Sequence, residues 1–270
     1  MKARELDSRV VVITGAAGGL GRALCAAFAA RGARVAALDV DEQALERLQR
    51  EQALPKLLAV RCDLTDEGQC RAALAEVVSR LGGVDVLVNN AGISHRSLFA
   101  QTEPAVIRRV MAVNFFGAVN ATHAALPALL ERRGTVVAIS SVAGFAPLAA
   151  RSGYAASKHA LHGFFDTLRA EYGERGLDVL LVCPGFIATA IAAAHLGGDG
   201  SAAHGPRTVV GVALAPELVA QRIVAAVERR RRLLLVGRVA WLAWLGSRLA
   251  PRWYERSMVK RLRAEMSKRT

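Results

Sequence analysis

The chain has 270 residues, 53% of them hydrophobic and 22% charged, enough apolar material for one large α/β domain with a substantial core. Its formal charge of +13 is lopsided: residues 229–270 hold 13 Lys/Arg against Glu255 and Glu265, a net of +11, leaving only +2 for residues 1–228. Cys25, Cys62, Cys70 and Cys183 are scattered, which argues against a zinc site or a disulfide framework, and the charged stretch before Val10 has no apolar leader core, so a cytoplasmic location is expected.

Val10–Thr14 is apolar and β-branched and predicts a strand, and 19–31 after it carries helical spacing. Between them runs Thr14-Gly15-Ala16-Ala17-Gly18-Gly19-Leu20-Gly21. Gly15 suits a tight turn, Gly19 allows backbone to approach a pyrophosphate, and Gly21 lets the helix sit close to the sheet. The free N–H groups of the helix start favour phosphate. A glycine-rich turn alone is weak evidence. One that leaves a first strand and opens a helix is strong.

The next strand, 35–39, ends at Asp39, 18 residues past Gly21. A carboxylate there can accept both ribose hydroxyls of an adenosine and would repel a 2′-phosphate. No Lys or Arg lies in the glycine turn and Val40 follows the Asp, so NAD is favoured over NADP, with NADP left open. Asp39 could instead cap the helix over 42–51, although Asp41 can do that itself. Leu57–Arg61 and 84–89 continue the strands, with a helix over Glu67–Leu81 between them. Then come 135–140, 179–183 and Leu233–Val236. About seven short apolar strands alternating with long helices predict a single Rossmann-type, doubly wound parallel sheet with helices on both faces. Such sheets hold ligands beyond the carboxyl ends of their strands.

Residues 140–158 bring the chemistry. Tyr154 and Lys158 are i and i+4, so on a helix both side chains share a face, and Ser141 lies 13 residues before Tyr154. A free tyrosine titrates near 10 and is a poor base at neutrality, but a nearby ammonium favours the phenolate. Tyr154 can then take or return an alcohol proton, while Ser141 hydrogen-bonds the substrate oxygen. Taken singly, a Tyr-x-x-x-Lys pair is more often a helix surface, and Ser140-Ser141 could be turn residues.

Together with the glycine turn, Asn89-Asn90-Ala91-Gly92, Asn114 and Pro184-Gly185, these motifs occur in the order of the classical short-chain dehydrogenase/reductase family, which the chain resembles over residues 10–236. The resemblance implies an NAD(P)-dependent oxidoreductase that interconverts a secondary alcohol and a ketone, usually as a homodimer or homotetramer. By it, Asn114, Ser141, Tyr154 and Lys158 are catalytic, with Lys158 also holding the nicotinamide ribose and Asn114 organising a water-linked proton relay. The cofactor would further touch Gly15, Gly19, Leu20, Gly21, Asp39, Asp63, Leu64, Asn90, Ala91, Gly92, Pro184, Gly185, Ile187 and Thr189. In that set Asp63 accepts from the adenine amino group, and Ile187 and Thr189 meet the carboxamide. Residues 190–215 correspond to the family's substrate lid. Its apolar Ile191, Leu196, Val209, Val210 and Val212 suggest a lipophilic substrate such as a steroid, retinoid or lipid. His95 is expected to be an exposed loop residue, and His159 and His162 are expected to flank the catalytic helix at other angles, with no assigned role.

The resemblance divides the chain into a catalytic domain, 1–236, and a basic, amphipathic helical extension, 237–270. In the extension Tyr254, Met258, Leu262 and Met266 recur every four residues, with Arg252, Arg256, Lys260 and Arg263 around them. Leu233 to Ala250 is interrupted by Arg238, Gly246, Ser247 and Arg248, which argues against a membrane span. A helix pair lying on an anionic bilayer, self-packing or oligomer contacts, and an acidic protein partner all remain open. Nucleic acid is not expected, because the charge sits on an apolar-striped helix with no reading motif. Two other functions stay in play: a 3-oxoacyl reductase docking an acidic carrier protein, and a nucleotide sensor without chemistry.

Overall fold

The computed structural model describes residues 3–52, 57–188, 195–203 and 212–266. In chain order, β1 (Val10–Thr14), α1 (Gly19–Ala29), β2 (Arg34–Asp39), α2 (Glu42–Gln52), β3 (Leu57–Arg61), α3 (Glu67–Leu81) and β4 (Val86–Asn89) come first. Then follow α4 (Pro104–Met111), a π-helical turn (Ala112–Phe116), α5 (Gly117–Glu131), β5 (Thr135–Ile139), α6 (Ser152–Tyr172) and β6 (Asp178–Pro184). A short hairpin of β7 (His195–Leu196) and β8 (Ala202–Ala203) precedes α7 (Pro216–Glu228), β9 (Leu233–Val236), α8 (Arg238–Leu249) and α9 (Pro251–Met266).

Seven strands form one parallel sheet in the order β3-β2-β1-β4-β5-β6-β9. The chain builds outward from β1 to β3 and returns to lay β4 on the other side of β1. The switch in direction therefore falls between β1 and β4, where a doubly wound sheet opens a crevice. Alternate residues of each strand feed opposite cores. Val11 and Ile13 pack with α1, α2 and α7, whereas Val10 and Val12 pack with α3, α5 and α6. Both faces are covered, so both sets must be apolar, and the strands read as unbroken apolar runs.

Two boundaries differ from expectation by two residues, the others by one at most. β4 begins at Val86 because buried Asp85 turns its carboxylate back onto the Val10 N–H (3.0 Å) and the Arg9 guanidinium (3.0 Å). α1 ends at Ala29 because Gly32, at φ 78°, turns the chain toward β2.

The segment expected to be the substrate lid is fastened at two places. Phe186 and Ala188 exchange main-chain hydrogen bonds with Leu214, each 2.9 Å. Leu196 of β7 bonds to the Ser94 carbonyl and the Arg96 N–H, each 2.8 Å. Thr189, Ile191, Val209 and Val210 lie outside the described residues. At the other end of the chain, α8 packs against β9 and a 3-10 turn (Val142–Gly144), and α9 packs on α8. No helix among the described residues is long and apolar enough to cross a membrane.

Candidate active site

The glycine turn sits at the switch point. Gly15 adopts φ 60°, a left-handed conformation that a side chain resists, and a Cβ there would lie 2.7 Å from the Ala91 Cα. At Gly21 a Cβ would come within 2.2 Å of the Gly15 carbonyl oxygen, so only glycine lets α1 start this close to the turn. Gly18 is the N-cap of α1, no side chain caps the helix, and its first turn holds no acidic residue. Gly19, Leu20 and Gly21 thus present an uncapped, partially positive helix start toward the crevice.

Asn90 welds the two central strands. Its Nδ2 donates to the carbonyls of Thr14 and Gly15, both at 3.0 Å, and its N–H donates to the Thr14 hydroxyl at 3.0 Å. The Ala91 N–H reaches the same hydroxyl at 3.2 Å. Asn89 is buried and donates to Thr122 at 2.9 Å. The Asn-Asn-Ala-Gly run therefore shapes the crevice floor as well as bordering it.

At the end of β2, Asp39 accepts the Ala17 N–H at 3.0 Å through one oxygen and the Asp41 N–H at 3.2 Å through the other. Asp41, not Asp39, caps α2 by accepting the Ala44 N–H at 2.9 Å. Arg61, the in-register neighbour of Asp39 on β3, is exposed; sequence reasoning passed over it because strand pairing is invisible in one dimension. Arg22, one residue past Gly21, forms an ion pair with Glu51 of α2. Asp63 accepts the Thr65 N–H at 2.9 Å and its hydroxyl at 2.7 Å. Leu64 is buried in the core with its carbonyl held by Asn120 at 2.9 Å.

Beyond β4 and β5 the proposed chemical residues converge. Lys158 is buried on α6, and its ammonium donates to the Ile139 carbonyl at 2.8 Å and lies 5.7 Å from the Tyr154 ring centre. Burial pushes the Lys158 ammonium down to about 8, which leaves it mostly protonated at neutral pH. Gly92 is the close neighbour: a Cβ there would stand 3.2 Å from the Asn114 Oδ1 and 3.6 Å from the Lys158 Nζ. Asn114 is buried in the π-helical turn, whose Gly117 N–H reaches back to the Ala112 carbonyl. Such one-residue bulges recur at functional sites. Its side chain clamps Ile93, accepting the N–H at 2.7 Å and donating to the carbonyl at 2.9 Å, and donates to Ser157 at 2.9 Å. Ser141 follows β5 and accepts the Ala143 N–H at 3.2 Å, which leaves its hydroxyl proton to donate. Ser140 is instead a buried brace, donating to the Lys158 carbonyl at 3.3 Å.

Pro184 ends β6, and the Gly185 N–H donates to the Val236 carbonyl at 3.2 Å, which carries the β6–β9 pairing one residue past the strand end. Ile187 packs partly into the core around α1 and α7, and Thr189 lies outside the described residues.

Two histidines correct the sequence reading. His95 is not an exposed loop residue. It is fully buried, and its Nε2 accepts the Gly153 N–H at 2.9 Å. His162 continues the Tyr154–Lys158 stripe by one more turn of α6 and pairs with Ser140 at 3.0 Å, with Cys183 at 3.6 Å. Burial lowers the His162 imidazole and pushes the Cys183 thiol up to about 12, disfavouring the charged form of each. The four-residue step from Lys158 was the signal for His162. His95 offered none, since its partner lies 58 residues away.

Comparison with known proteins agrees with this fold. The short chain dehydrogenase family model matches residues 9–197. The Bos taurus dehydrogenase/reductase SDR family member 7B is 41% identical over 266 residues, covering 95% of this chain and 82% of its own length. The Drosophila melanogaster dehydrogenase/reductase SDR family protein 7-like is 35% identical, covering 95% and 81%. Among solved structures, a short-chain dehydrogenase from Streptomyces avermitilis superposes with a TM-score of 0.81 at 31% identity, covering 95% of this chain and 98% of that one. The fold, the switch-point crevice and these relatives agree: the chain belongs to the short-chain dehydrogenase/reductase family, oxidoreductases that bind NAD(P) and act on small molecules.

Proposed function

We propose that the chain interconverts a secondary alcohol and a ketone on a lipophilic molecule, with NAD as the preferred nicotinamide cofactor and residues 1–236 as its catalytic domain. The observation that carries this reading is the buried Lys158 ammonium, fixed between the Ile139 carbonyl and the Tyr154 ring and next to Gly92 and Asn114. The crevice suits a dinucleotide. The glycine turn has no room for a Cβ, the start of α1 is uncapped, and Asp39 stands at the end of β2.

When bound, the nicotinamide accepts or gives the hydride. Tyr154 takes the alcohol proton in oxidation and returns it to the carbonyl oxygen in reduction. The Lys158 ammonium favours the tyrosinate by its charge and would hold a ribose hydroxyl. Ser141 donates its free proton to the substrate oxygen, where negative charge develops during reduction. Asn114 keeps the Ile93 loop and Ser157 in register beneath them. The relatives' name, dehydrogenase/reductase, covers both directions.

The test is hydride transfer across steroid, retinoid, acyl and short-chain alcohols and ketones, each with NAD(H) and NADP(H). Tyr154→Phe serves as the blank. Turnover of a lipophilic member, lost in Tyr154→Phe while NADH still binds, is the expected result. Undiminished turnover by Tyr154→Phe would overturn the mechanism, and NADH binding with silence across the panel would favour a sensor.

A further inference from the structure

The outward face of α8 is built the wrong way round for a helix at the surface of a water-soluble body. Its exposed positions, Arg238, Trp241, Leu242, Leu245, Arg248 and Leu249, repeat at three- and four-residue steps and form one continuous stripe. Trp241 is 59% exposed, Leu242 69% and Leu249 76%. The fully buried side chains of α8 are small, Ala240 and Ala243, with Val239 and Trp244 half-buried beside them. Trp253, at the start of α9, adds another face-out ring at 67% exposure. Six of the thirteen large exposed apolar side chains in the described residues lie between Trp241 and Val259, so this is one patch rather than scattered surface leucines.

The charges around the patch identify its occupant. Arg238, Arg248, Arg252, Arg256 and Lys260 are all exposed, and α8 contains no acidic residue. A second copy laid on the patch about a two-fold axis would set arginine against arginine, with a net of +11 in residues 229–270 of each chain. An anionic lipid surface answers both halves of the pattern. Its acyl region takes the tryptophans and leucines while its headgroups take the guanidinium rim.

We propose that α8 and the start of α9 form a docking face for anionic lipid bilayers, lying in the plane of the interface. The face adjoins the crevice. Val239, on the first turn of α8, sits 3.8 Å from where a Gly185 Cβ would be, and α8 packs on the 3-10 turn that follows Ser141. Docking therefore holds the substrate side of the protein at the lipid surface. The proposal does not rest on the hydride chemistry, and its test uses no substrate.

All three tryptophans of the chain, Trp241, Trp244 and Trp253, lie in this region, so intrinsic emission reports on it alone. The full-length protein is mixed with vesicles of equal phosphatidylglycerol and phosphatidylcholine, and separately with phosphatidylcholine alone. Expected with the anionic vesicles are a blue shift of tryptophan emission and co-sedimentation, both reduced at high salt. Phosphatidylcholine alone should bind far more weakly, since each basic residue near an anionic surface strengthens adsorption roughly fivefold. Leu242→Glu with Leu245→Glu should weaken binding by about tenfold or more per residue while leaving the melting temperature and the solution mass unchanged. No blue shift with phosphatidylglycerol, or equal vesicle binding by the double variant, would overturn the proposal. So would a double variant that changes oligomeric mass but binds vesicles normally, because the face would then be a subunit contact.

Discussion

His95 accepts the backbone N–H of Gly153 on its Nε2 at 2.9 Å, and the next residue along the chain is Tyr154. The first turn of α6 has no side-chain cap of its own. A histidine from the loop after β4 supplies one across 58 residues and so ties the crevice floor to the helix carrying Tyr154 and Lys158. Because Nε2 accepts, the neutral imidazole carries its proton on Nδ1, 3.4 Å from the Ser97 hydroxyl.

Removing this cap in His95→Ala should cost about 1 kcal/mol from the hydrogen bond, with a cavity contribution on top. Burial lowers the His95 imidazole, the Arg151 guanidinium adds to it, and burial lowers His162 in the same direction. The unfolded chain, with ordinary histidines near 6.5, then binds protons more readily than the folded one. The stability owed to neutral His95 is thus complete above about pH 6.5 and is lost as pH falls from there through the lowered folded-state value. Melting temperature followed from pH 8 downward should fall more gently for His95→Ala than for the parent. Identical slopes would refute the role of His95.

Gly15→Ala should abolish dinucleotide binding. The new methyl would be forced against the Ala91 Cα in a left-handed backbone conformation. NADH titration by fluorescence should show no saturation, with a melting temperature several degrees lower. Ordinary affinity in Gly15→Ala would mean the turn relaxes and does not set the site.

Asn114→Ala strips partners from the Ile93 N–H and carbonyl and from Ser157. Each buried group left unpaired costs about 1–3 kcal/mol, so a marked loss of stability is expected before any effect on turnover is considered. Denaturant unfolding measures the first, and kcat at a temperature where the variant remains folded isolates the second. A variant as stable as the parent would show that water replaces the amide.

Asp39→Ala should weaken NAD and relieve repulsion of a 2′-phosphate, moving the NAD-to-NADP preference by tenfold or more toward NADP. The exposed Arg61 alongside is positioned to help. The ratio of kcat/KM with the two cofactors reads this directly. An unchanged ratio would remove the argument for NAD.

Most of the fold was legible because its strands are short, apolar and punctuated. All seven were recognisable from runs such as Val10–Thr14, and the glycine turn fell where the first strand meets its helix. The alternation of Val11 and Ile13 against Val10 and Val12 was not legible, since both faces are buried and the letters carry no period. The site divided along the same line. Tyr154 with Lys158 is a local spacing that a helix converts directly into proximity. The His95–Gly153 and Asn114–Ile93 contacts, and the strand register that sets Arg61 beside Asp39, are made by topology, and nothing local announces them. Region 93–134 gave little beyond Asn114, because a π-helical turn has no hydrophobic signature of its own.

The clasp between Phe186, Ala188 and Leu214 is made entirely of main-chain groups. That join asks nothing of the side chains it closes over, but the second fastening does: a Cβ at Gly198 would come within 1.8 Å of the Gln101 carbonyl oxygen. A graft between Ala188 and Leu214 should therefore transplant substrate preference only if it keeps the glycine at 198 and the pairing of Leu196 with Ser94 and Arg96.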